Sequence, residues 1–355
     1  MSDRINICIV GLRFGRGMTK RDIYEGKGGE FLNITAVCDL DKARADEYAA
    51  EIGAKAYYDF DEVLKDPDIE AVGLFTPPGG RAKLIRKCIA AGKHVLTTKP
   101  FELVPEEAYS VLEEARRKNI VVHLNSPGPI LTPEMEQVAR WRKDYDLGRP
   151  VSGVFEVMMD KNEVPDGTWY DDPELCPAAP LYRIGIYAVN DMINMLSSRP
   201  VSVVCLDSRI RTGRPTADNA ALSVKFENGA IGVVQSSFCA GNGDVFIGSY
   251  IVQYERGTIC RGPYVVREDG AIEKYDLTIR WRTKDGKAAS EEYRCKPEDD
   301  RSGNYEWENF YKAVRGGGKT LEGEVSISDI VNGVCIVDAM KRSLKSGAVE
   351  EIKPY

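Results

Sequence analysis

The run KHVLTTKPFE, residues 93–102, carries a strand-like stretch to Lys99 and follows it at once with Pro100. Such a lysine can be a plain exposed strand end, or a side chain aimed at a ligand bound along that edge of a sheet. A proline after it restrains the lysine to an extended backbone, which aims the side chain in advance. The chain holds only two histidines, His94 and His123. That leaves little for a zinc site, and no metal is expected. Acid–base chemistry then falls on lysine, tyrosine or carboxylates.

Two other spots have the residue types for a dinucleotide. In IVGLRFGRG, Gly11 fits the first position of a G-x-G-x-x-G turn, with Arg13 and Arg16 at the second and third. Glycines there permit a tight turn and let a helix N-terminus approach a pyrophosphate. The segment Gly11, Leu12, Arg13 and Phe14 is therefore the candidate phosphate turn, a bare structural turn being the alternative. Asp39 closes the second apolar run, where a carboxylate accepts hydrogen bonds from the hydroxyls of an adenosine ribose. It would repel a 2′-phosphate, so NAD is favoured over NADP, although Lys42 and Arg44 stand close by. The other reading of Asp39 is a helix cap. Thr76 and Pro77 end a further apolar run, LFTPP.

The elements that must position these residues follow from the apolar pattern. INICIVGL, NITAVCD, AKAYYD, AVGLFTPP, HVLTTKP and VVHLN read as strands, separated by helical stretches such as KARADEYAAEIG, GRAKLIRKCIAAGK and VPEEAYSVLEEARRKN. Strand–helix alternation at this spacing predicts a parallel sheet covered by helices on both faces, with ligands at the carboxyl ends of its strands. Lys99 and Thr76 then share one edge. Beyond about residue 150 the runs VSGVFEVMMD, VSVVCLDS, ALSVKFEN, GAIGVVQSSF, VFIGSYIVQYE, GTICRG and YVVRED are joined by Gly, Asn and Asp turns. Short turns of that kind predict a large, mostly antiparallel sheet. One helix interrupts the series at LYRIGIYAVNDMINMLSS, and two close the chain. The fold class is α/β: a Rossmann dinucleotide-binding domain over 1–124, then an α+β domain over 125–355 for substrate binding and oligomerisation.

Composition narrows the partners. With 43% hydrophobic and 29% charged residues, the 355-residue chain reads as an ordinary globular protein of about two domains. A net charge of −7 argues against nucleic acid, which needs clustered Lys and Arg. No apolar run approaches the roughly 20 residues that cross a bilayer, so no membrane partner is expected. The opening MSDRINICIVGL enters a strand pattern directly, and no signal peptide is expected. Nine cysteines are odd in number, scattered, and form no C-x-x-C, which fits a reducing cytoplasm.

The strand-end TPP at 76–78, the AGKHV at 91–95 and the TKP at 98–100 together resemble the Gfo/Idh/MocA oxidoreductases, named for glucose–fructose oxidoreductase and inositol dehydrogenase. Family members carry T-P-N, A-G-K-H-V and E-K-P, and the likeness extends to the final helix SISDIVNGVCIVDAMKRSLKSG. The resemblance implies that Lys99 bonds the substrate hydroxyl and the nicotinamide ribose, and that Asn125 lies near the nicotinamide. Thr98 stands where the family has a glutamate. In the second domain the family's D-x-G-x-H-x-x-D aligns with RIGIYAVN, which places Tyr187 at the histidine, Asn190 at the last aspartate and Arg183 at the first. Helical spacing puts Arg183, Tyr187 and Asn190 or Asp191 on one face. A tyrosine beside cations can serve as acid or base; packing of its ring on the sheet is the other reading.

Arg183 has two readings of equal weight: a fork for a substrate carboxylate, or an ion pair with Asp171, Asp172 or Glu174. Trp169 and Tyr170 in the preceding loop can stack on a sugar ring, or serve as a lid or interface contact. The implied function is an NAD(H)-dependent oxidoreductase for a ring hydroxyl or ketone of a sugar, glycoside or cyclitol, an acidic one if Arg183 binds substrate. An NAD-retaining glycosidase or lyase working by transient oxidation, and a non-catalytic dinucleotide-binding regulator, are the alternatives. The β-rich second half implies a homodimer or homotetramer formed through its sheet.

Overall fold

The computed structural model describes residues 4–241, 244–267, 272–273, 276–295, 305–318 and 325–355. The chain divides into two compact units, Met1–Ile130 with Gly303–Ile327, and Leu131–Ser302 with Ser328–Tyr355.

The first unit alternates as its apolar pattern predicts: β1 (Ile5–Val10), α1 (Leu12–Thr19), β2 (Leu32–Cys38), α2 (Lys42–Ile52), β3 (Lys55–Tyr57), α3 (Phe60–Lys65), β4 (Ala71–Leu74), α4 (Arg81–Ala90), β5 (His94–Thr97), α5 (Pro105–Arg117) and β6 (Val122–Leu124). A π turn over Lys20–Tyr24 and a 3₁₀ turn over Lys27–Glu30 bridge α1 to β2. Every strand pair is parallel, in the order β3-β2-β1-β4-β5-β6. The chain starts mid-sheet and winds outward both ways, so the crevice between β1 and β4 is the topological switch point where such sheets bind ligands. Local chemistry fixes the helix boundaries. Asp41 caps α2 through the N–H of Arg44, and Gly53 closes that helix in the left-handed conformation. Pro105 begins α5 at a position where its missing N–H costs nothing. Ile5, Ile7, Ile9, Leu12, Val37, Tyr48 and Leu96 form the core with Tyr305 and Phe310.

The second unit holds α6 (Pro133–Asp144), β7 (Pro150–Met158), α7 (Ile186–Leu196), β8 (Pro200–Ser208), β9 (Asn219–Phe226), β10 (Ile231–Ser237), β11 (Asp244–Tyr254), β12 (Gly257–Arg267), β13 (Ile272–Glu273), β14 (Asp276–Arg282) and β15 (Ala288–Arg294). After α8 (Trp307–Arg315), which belongs to the first unit, α9 (Ile327–Ser346) and β16 (Glu350–Glu351) end the described elements. The sheet runs β15-β14-β12-β11-β7-β10-β9-β8-β16, with β13 against β12. It is antiparallel apart from β7 and β10. The runs GTICRG and YVVRED merge into β12, with Glu268 and Asp269 outside the described residues.

Alternation along β7 is plain: Phe155 and Val157 are buried, whereas Val154 and Glu156 are exposed. The buried face carries the helices. A Cβ on Gly232 would lie 2.2 Å from Met192 Sδ, so a glycine there lets α7 settle onto β10. Ser343 of α9 accepts the N–H of Cys205 on β8 at 3.0 Å. Helix α6 escaped the pattern reading, although Thr132 caps it through Met135 N–H and Pro133 occupies its first turn.

Candidate active site

In the first unit the candidate residues gather at the carboxyl ends of β1, β2, β4, β5 and β6. Gly11 follows β1 with φ +88°, and a Cβ there would stand 2.8 Å from the Phe75 carbonyl oxygen. Both facts require glycine: the left-handed conformation, and the contact of two strand ends across the switch point. Directly after it, Leu12 donates its N–H to Asp39 Oδ2 at 2.8 Å. Asp39 Oδ1 accepts the N–H of Asp41 at 3.0 Å and Arg44 Nη1 at 3.1 Å. Burial on its own would raise the Asp39 carboxyl; the N–H groups of Asp41 and Leu12 and the Arg44 guanidinium outweigh it and hold it below the usual carboxylate range. Arg13 is exposed, and Phe14 is exposed with its ring 6.1 Å from that of Phe75. The turn thus offers a glycine cradle, the start of a helix and an ionised carboxylate, the donor and acceptor set that an adenine dinucleotide requires.

On the other side of the switch point, Lys99 is half-buried and its N–H donates to Asn125 Oδ1 at 2.9 Å. Asn125 and Pro100 are both buried. Thr76 Oγ1 is buried without a hydrogen-bond partner among the described residues. Two residues the pattern reading passed over hold this edge together. Arg81, at the start of α4 and 1% exposed, sends Nη1 to the carbonyls of Thr98 and Pro100 at 2.5 and 2.6 Å, and Nη2 to the carbonyl of Thr76. Burial draws its guanidinium down to about 10. Glu102, also buried, accepts Ala82 N–H at 2.8 Å and Leu103 N–H at 2.7 Å. Neither histidine adds to the chemistry: burial lowers both, His123 to about 4, and His94 Nδ1 accepts the N–H of Val121.

In the second unit Tyr187 lies one residue into α7, after a π turn over Leu181–Gly185. Among these turns the less buried positions are Arg183, Tyr187, Asn190, Asp191 and Asn194, a stripe at helical spacing. A Cβ on Gly185 would press within 2.9 Å of Leu181 and 3.2 Å of Ser236, so glycine allows the turn to lie against β10. A Cβ on Gly333 of α9 would stand 3.0 Å from Asn190 Oδ1.

The ion-pair partner of Arg183 is neither Asp171, Asp172 nor Glu174 but Glu163. Nη2 reaches Glu163 Oε1 at 2.9 Å and Nη1 reaches Oε2. The guanidinium carbon also lies 4.1 Å from the Tyr170 ring and 4.9 Å from the Phe238 ring. Arg214 completes the cluster, meeting Glu163 Oε2 at 2.9 Å, Asp166 at 3.0 Å and Asp171 at 2.6 Å. The Arg183 guanidinium is the main reason the Glu163 carboxyl falls to about 2. Thr216 Oγ1 donates to the Tyr170 carbonyl at 2.9 Å, and the Trp169 ring lies 4.4 Å from that of Tyr170. The sandwich of charges and rings could not be read from spacing, because Glu163, Arg214 and Phe238 come from separate loops. Among the described residues no cluster of three or more His, Cys, Asp or Glu could hold a metal ion.

Two family models match: the oxidoreductase family, NAD-binding Rossmann fold, over residues 5–126, and the GFO/IDH/MocA C-terminal domain over residues 135–260. Among curated proteins, dTDP-3,4-didehydro-2,6-dideoxy-alpha-D-glucose 3-reductase of Saccharopolyspora spinosa is 36% identical over 92 residues, covering 26% of this chain and 28% of that protein. Levoglucosan dehydrogenase of Pseudarthrobacter phenanthrenivorans is 24% identical over 230 residues, covering 56% of this chain and 59% of its own length. The chain thus spans less than two thirds of the curated relatives it matches here. A solved structure of levoglucosan dehydrogenase in complex with NADH and levoglucosan shares the fold, with a TM-score of 0.75 at 17% identity over 99% of this chain and 100% of that one. With matching models over residues 5–126 and 135–260, the chain belongs to the Gfo/Idh/MocA oxidoreductase family and carries its NAD-binding Rossmann fold.

Proposed function

We propose that this protein is an NAD(H)-dependent oxidoreductase that interconverts a ring hydroxyl and a ring ketone of a sugar, glycoside or cyclitol. The observation that carries the reading is Lys99, held by Asn125 at the carboxyl edge of a parallel sheet, on the same edge as the Gly11 turn and Asp39. Bound NAD supplies the hydride acceptor. Lys99 holds the substrate hydroxyl and the nicotinamide ribose, and Tyr187 takes the hydroxyl proton as the carbon is oxidised. In reduction the tyrosine returns it. Asn190, Trp169 and Tyr170 contribute to the substrate pocket. Asp39 binds the adenosine ribose hydroxyls, which makes NAD the preferred cofactor over NADP.

The Arg183 fork is taken by Glu163 and its face by two rings. This supports an uncharged substrate over an acidic one, since the fork is already engaged by a carboxylate of the protein. A screen with NAD+ across 1,6-anhydro sugars, glycosides, cyclitols and uronic acids tests the reading, with reduced-nicotinamide absorbance as readout. Turnover of neutral compounds with Lys99→Met inactive is the expected result. Activity confined to uronic acids would overturn the neutral-pocket reading, and full activity of Lys99→Met would overturn the site.

The roles proposed for the domains are cofactor binding by residues 1–124 and substrate binding and self-association by 125–355, with the correction that residues 125–130 and Gly303–Ile327 belong to the first unit. Val154 and Ile251 face each other across β7 and β11, 48% and 52% exposed, with Ile231 half-exposed on the same face. An apolar sheet face of this kind supports a homodimer or homotetramer. Val154→Asp should shift the light-scattering mass toward the 39.4 kDa chain. Seven of the nine cysteines are buried, which fits residence in the reducing cytoplasm. Among the described residues no helix is long and apolar enough to cross a membrane.

A further inference from the structure

The Thr98–Lys99 peptide group is held at both ends by side chains. Its N–H donates to Asn125 Oδ1 at 2.9 Å and its carbonyl accepts Arg81 Nη1 at 2.5 Å. The same Nη1 takes the Pro100 carbonyl at 2.6 Å, so both peptide groups bracketing the lysine-proline pair share one nitrogen. Nη2 takes the carbonyl of Thr76, at the end of the neighbouring strand. In the opposite sense Glu102, from the segment that follows β5, accepts the N–H of Ala82 in the first turn of α4 at 2.8 Å. The helix start therefore grips the strand-end segment by its carbonyls, and that segment grips the helix start by its N–H.

A cation on an amphipathic helix ordinarily faces water, and one fully buried is costly unless its donors are satisfied. Glu102 is the first electrostatic partner of Arg81, ahead of Tyr305. The fork geometry matters beyond the charge. Two separate nitrogens span the carbonyls of Thr76 on one strand and of Thr98 and Pro100 on the next, which a lysine ammonium cannot do from a single point.

We infer that Arg81 and Glu102 form a reciprocal clasp whose task is to position Lys99 at the cofactor edge. Both are positioning residues, and the inference rests on the reading of Lys99 as the hydride-site lysine. Without the fork, the carbonyls of Thr76, Thr98 and Pro100 lose their shared donor.

The test uses the full chain, NADH as probe, and the variants Arg81→Met, Arg81→Lys and Glu102→Gln. Lysines are methylated reductively with carbon-13, and the Lys99 resonance is assigned from its loss in Lys99→Arg. Circular dichroism selects the conditions in which each variant is folded. Glu102→Gln keeps an acceptor for Ala82 N–H and is the mildest change, so it carries the test if Arg81→Met does not fold. In Arg81→Met the Lys99 methyl resonance should shift and broaden, because the carbonyls flanking the lysine have lost the guanidinium that holds them. Its NADH dissociation constant should rise about tenfold. Arg81→Lys restores the charge but not the fork, so neither the parent resonance nor the NADH affinity should return. Glu102→Gln should weaken NADH in the same direction, by about threefold. Variants that are folded but melt earlier, with the Lys99 resonance and NADH affinity as in the parent, would make the clasp a stability element only and overturn the inference. A separate outcome, Lys99→Met with unchanged turnover on a substrate from the sugar panel, would remove the hydride-site reading while leaving the measured clasp effects in place.

Discussion

Asn125 Oδ1 accepts the backbone N–H of Lys99 at 2.9 Å, linking the end of β6 to the end of β5 just past the last paired residues. The asparagine is 3% exposed and the lysine half-buried, so the bond is partly shielded from water. Deleting the acceptor removes that bond from a part-buried N–H, which costs about 1–3 kcal/mol at most. Asn125→Ala should therefore lower the unfolding free energy by that amount and cut turnover about tenfold or more through a misplaced lysine. Asn125→Asp keeps an acceptor in place and should recover most of the stability. Urea unfolding and steady-state kinetics on the same preparations check both parts.

The phosphate turn yields a second prediction. A Cβ at residue 11 would stand 2.8 Å from a backbone carbonyl, with φ fixed at +88°. The obstacle is backbone on both counts and no rotamer relieves it. Gly11→Ala should lose about 1–3 kcal/mol of stability and bind NADH much more weakly, while Gly17→Ala, with nothing within 4 Å of the added carbon, should bind as the parent does. Equal NADH titrations for the two variants would remove Gly11 from the cofactor site.

Asp39 and Arg44 set up a third. The aspartate accepts from three donors, and one of them, Arg44 Nη1, belongs to a side chain rather than to the backbone. Arg44 partly cancels the charge that would repel a 2′-phosphate. Arg44→Ala should sharpen the preference for NAD+ over NADP+ as measured by the ratio of kcat/KM values. Asp39→Asn should erode the same preference, mainly through a higher KM for NAD+, by about tenfold. A ratio unmoved by either change would place the adenosine ribose elsewhere.

How far the sequence reaches depends on whether a residue's partner is local. Strand–helix alternation is a local pattern, so the parallel sheet, Gly11, Asp39 and the Lys99–Pro100 edge were readable from runs and turns alone. The order of strands, with β1 beside β4, is a tertiary fact that alternation alone does not give, and it places the switch point. Arg81 was not readable, because RAKLIRKCIA looks like any helix with a cationic face, and only the tertiary fold buries its first residue. The strand β15 escaped for the opposite reason. Its edge position leaves AASEEYR almost wholly exposed, without the alternation that marks a half-buried strand. In Arg183 the residue type raised the right question, a fork in search of a carboxylate. The answer lay 20 positions upstream in a loop whose path no periodicity fixes.

That pairing gives the last prediction, a pH dependence whose sign can be worked out. Glu163 has its carboxyl lowered to about 2 from an ordinary 4.5, first by its hydrogen bonds to Arg183 and against the opposing effect of burial. A group with a depressed folded-state pKa stabilises the native chain fully above its unfolded pKa, and that contribution is lost as pH falls through the folded value. Asp166 and Asp171, both on Arg214, are depressed in the same direction. Stability should therefore decline steeply as pH drops from about 4.5 toward about 2, with a slope set partly by this cluster. Glu163→Gln removes the titrating group and leaves two buried guanidinium forks without their shared carboxylate. It should melt several degrees lower at neutral pH, yet show a shallower fall in melting temperature on acidification than the parent. Parallel curves for the two proteins, offset only in height, would show that the Glu163 carboxylate is not what holds Arg183 and Arg214 together. If the sandwich instead keeps Arg183 from the substrate, Glu163→Gln should also gain measurable turnover of uronic acids, because the carboxylate that engages the fork has gone.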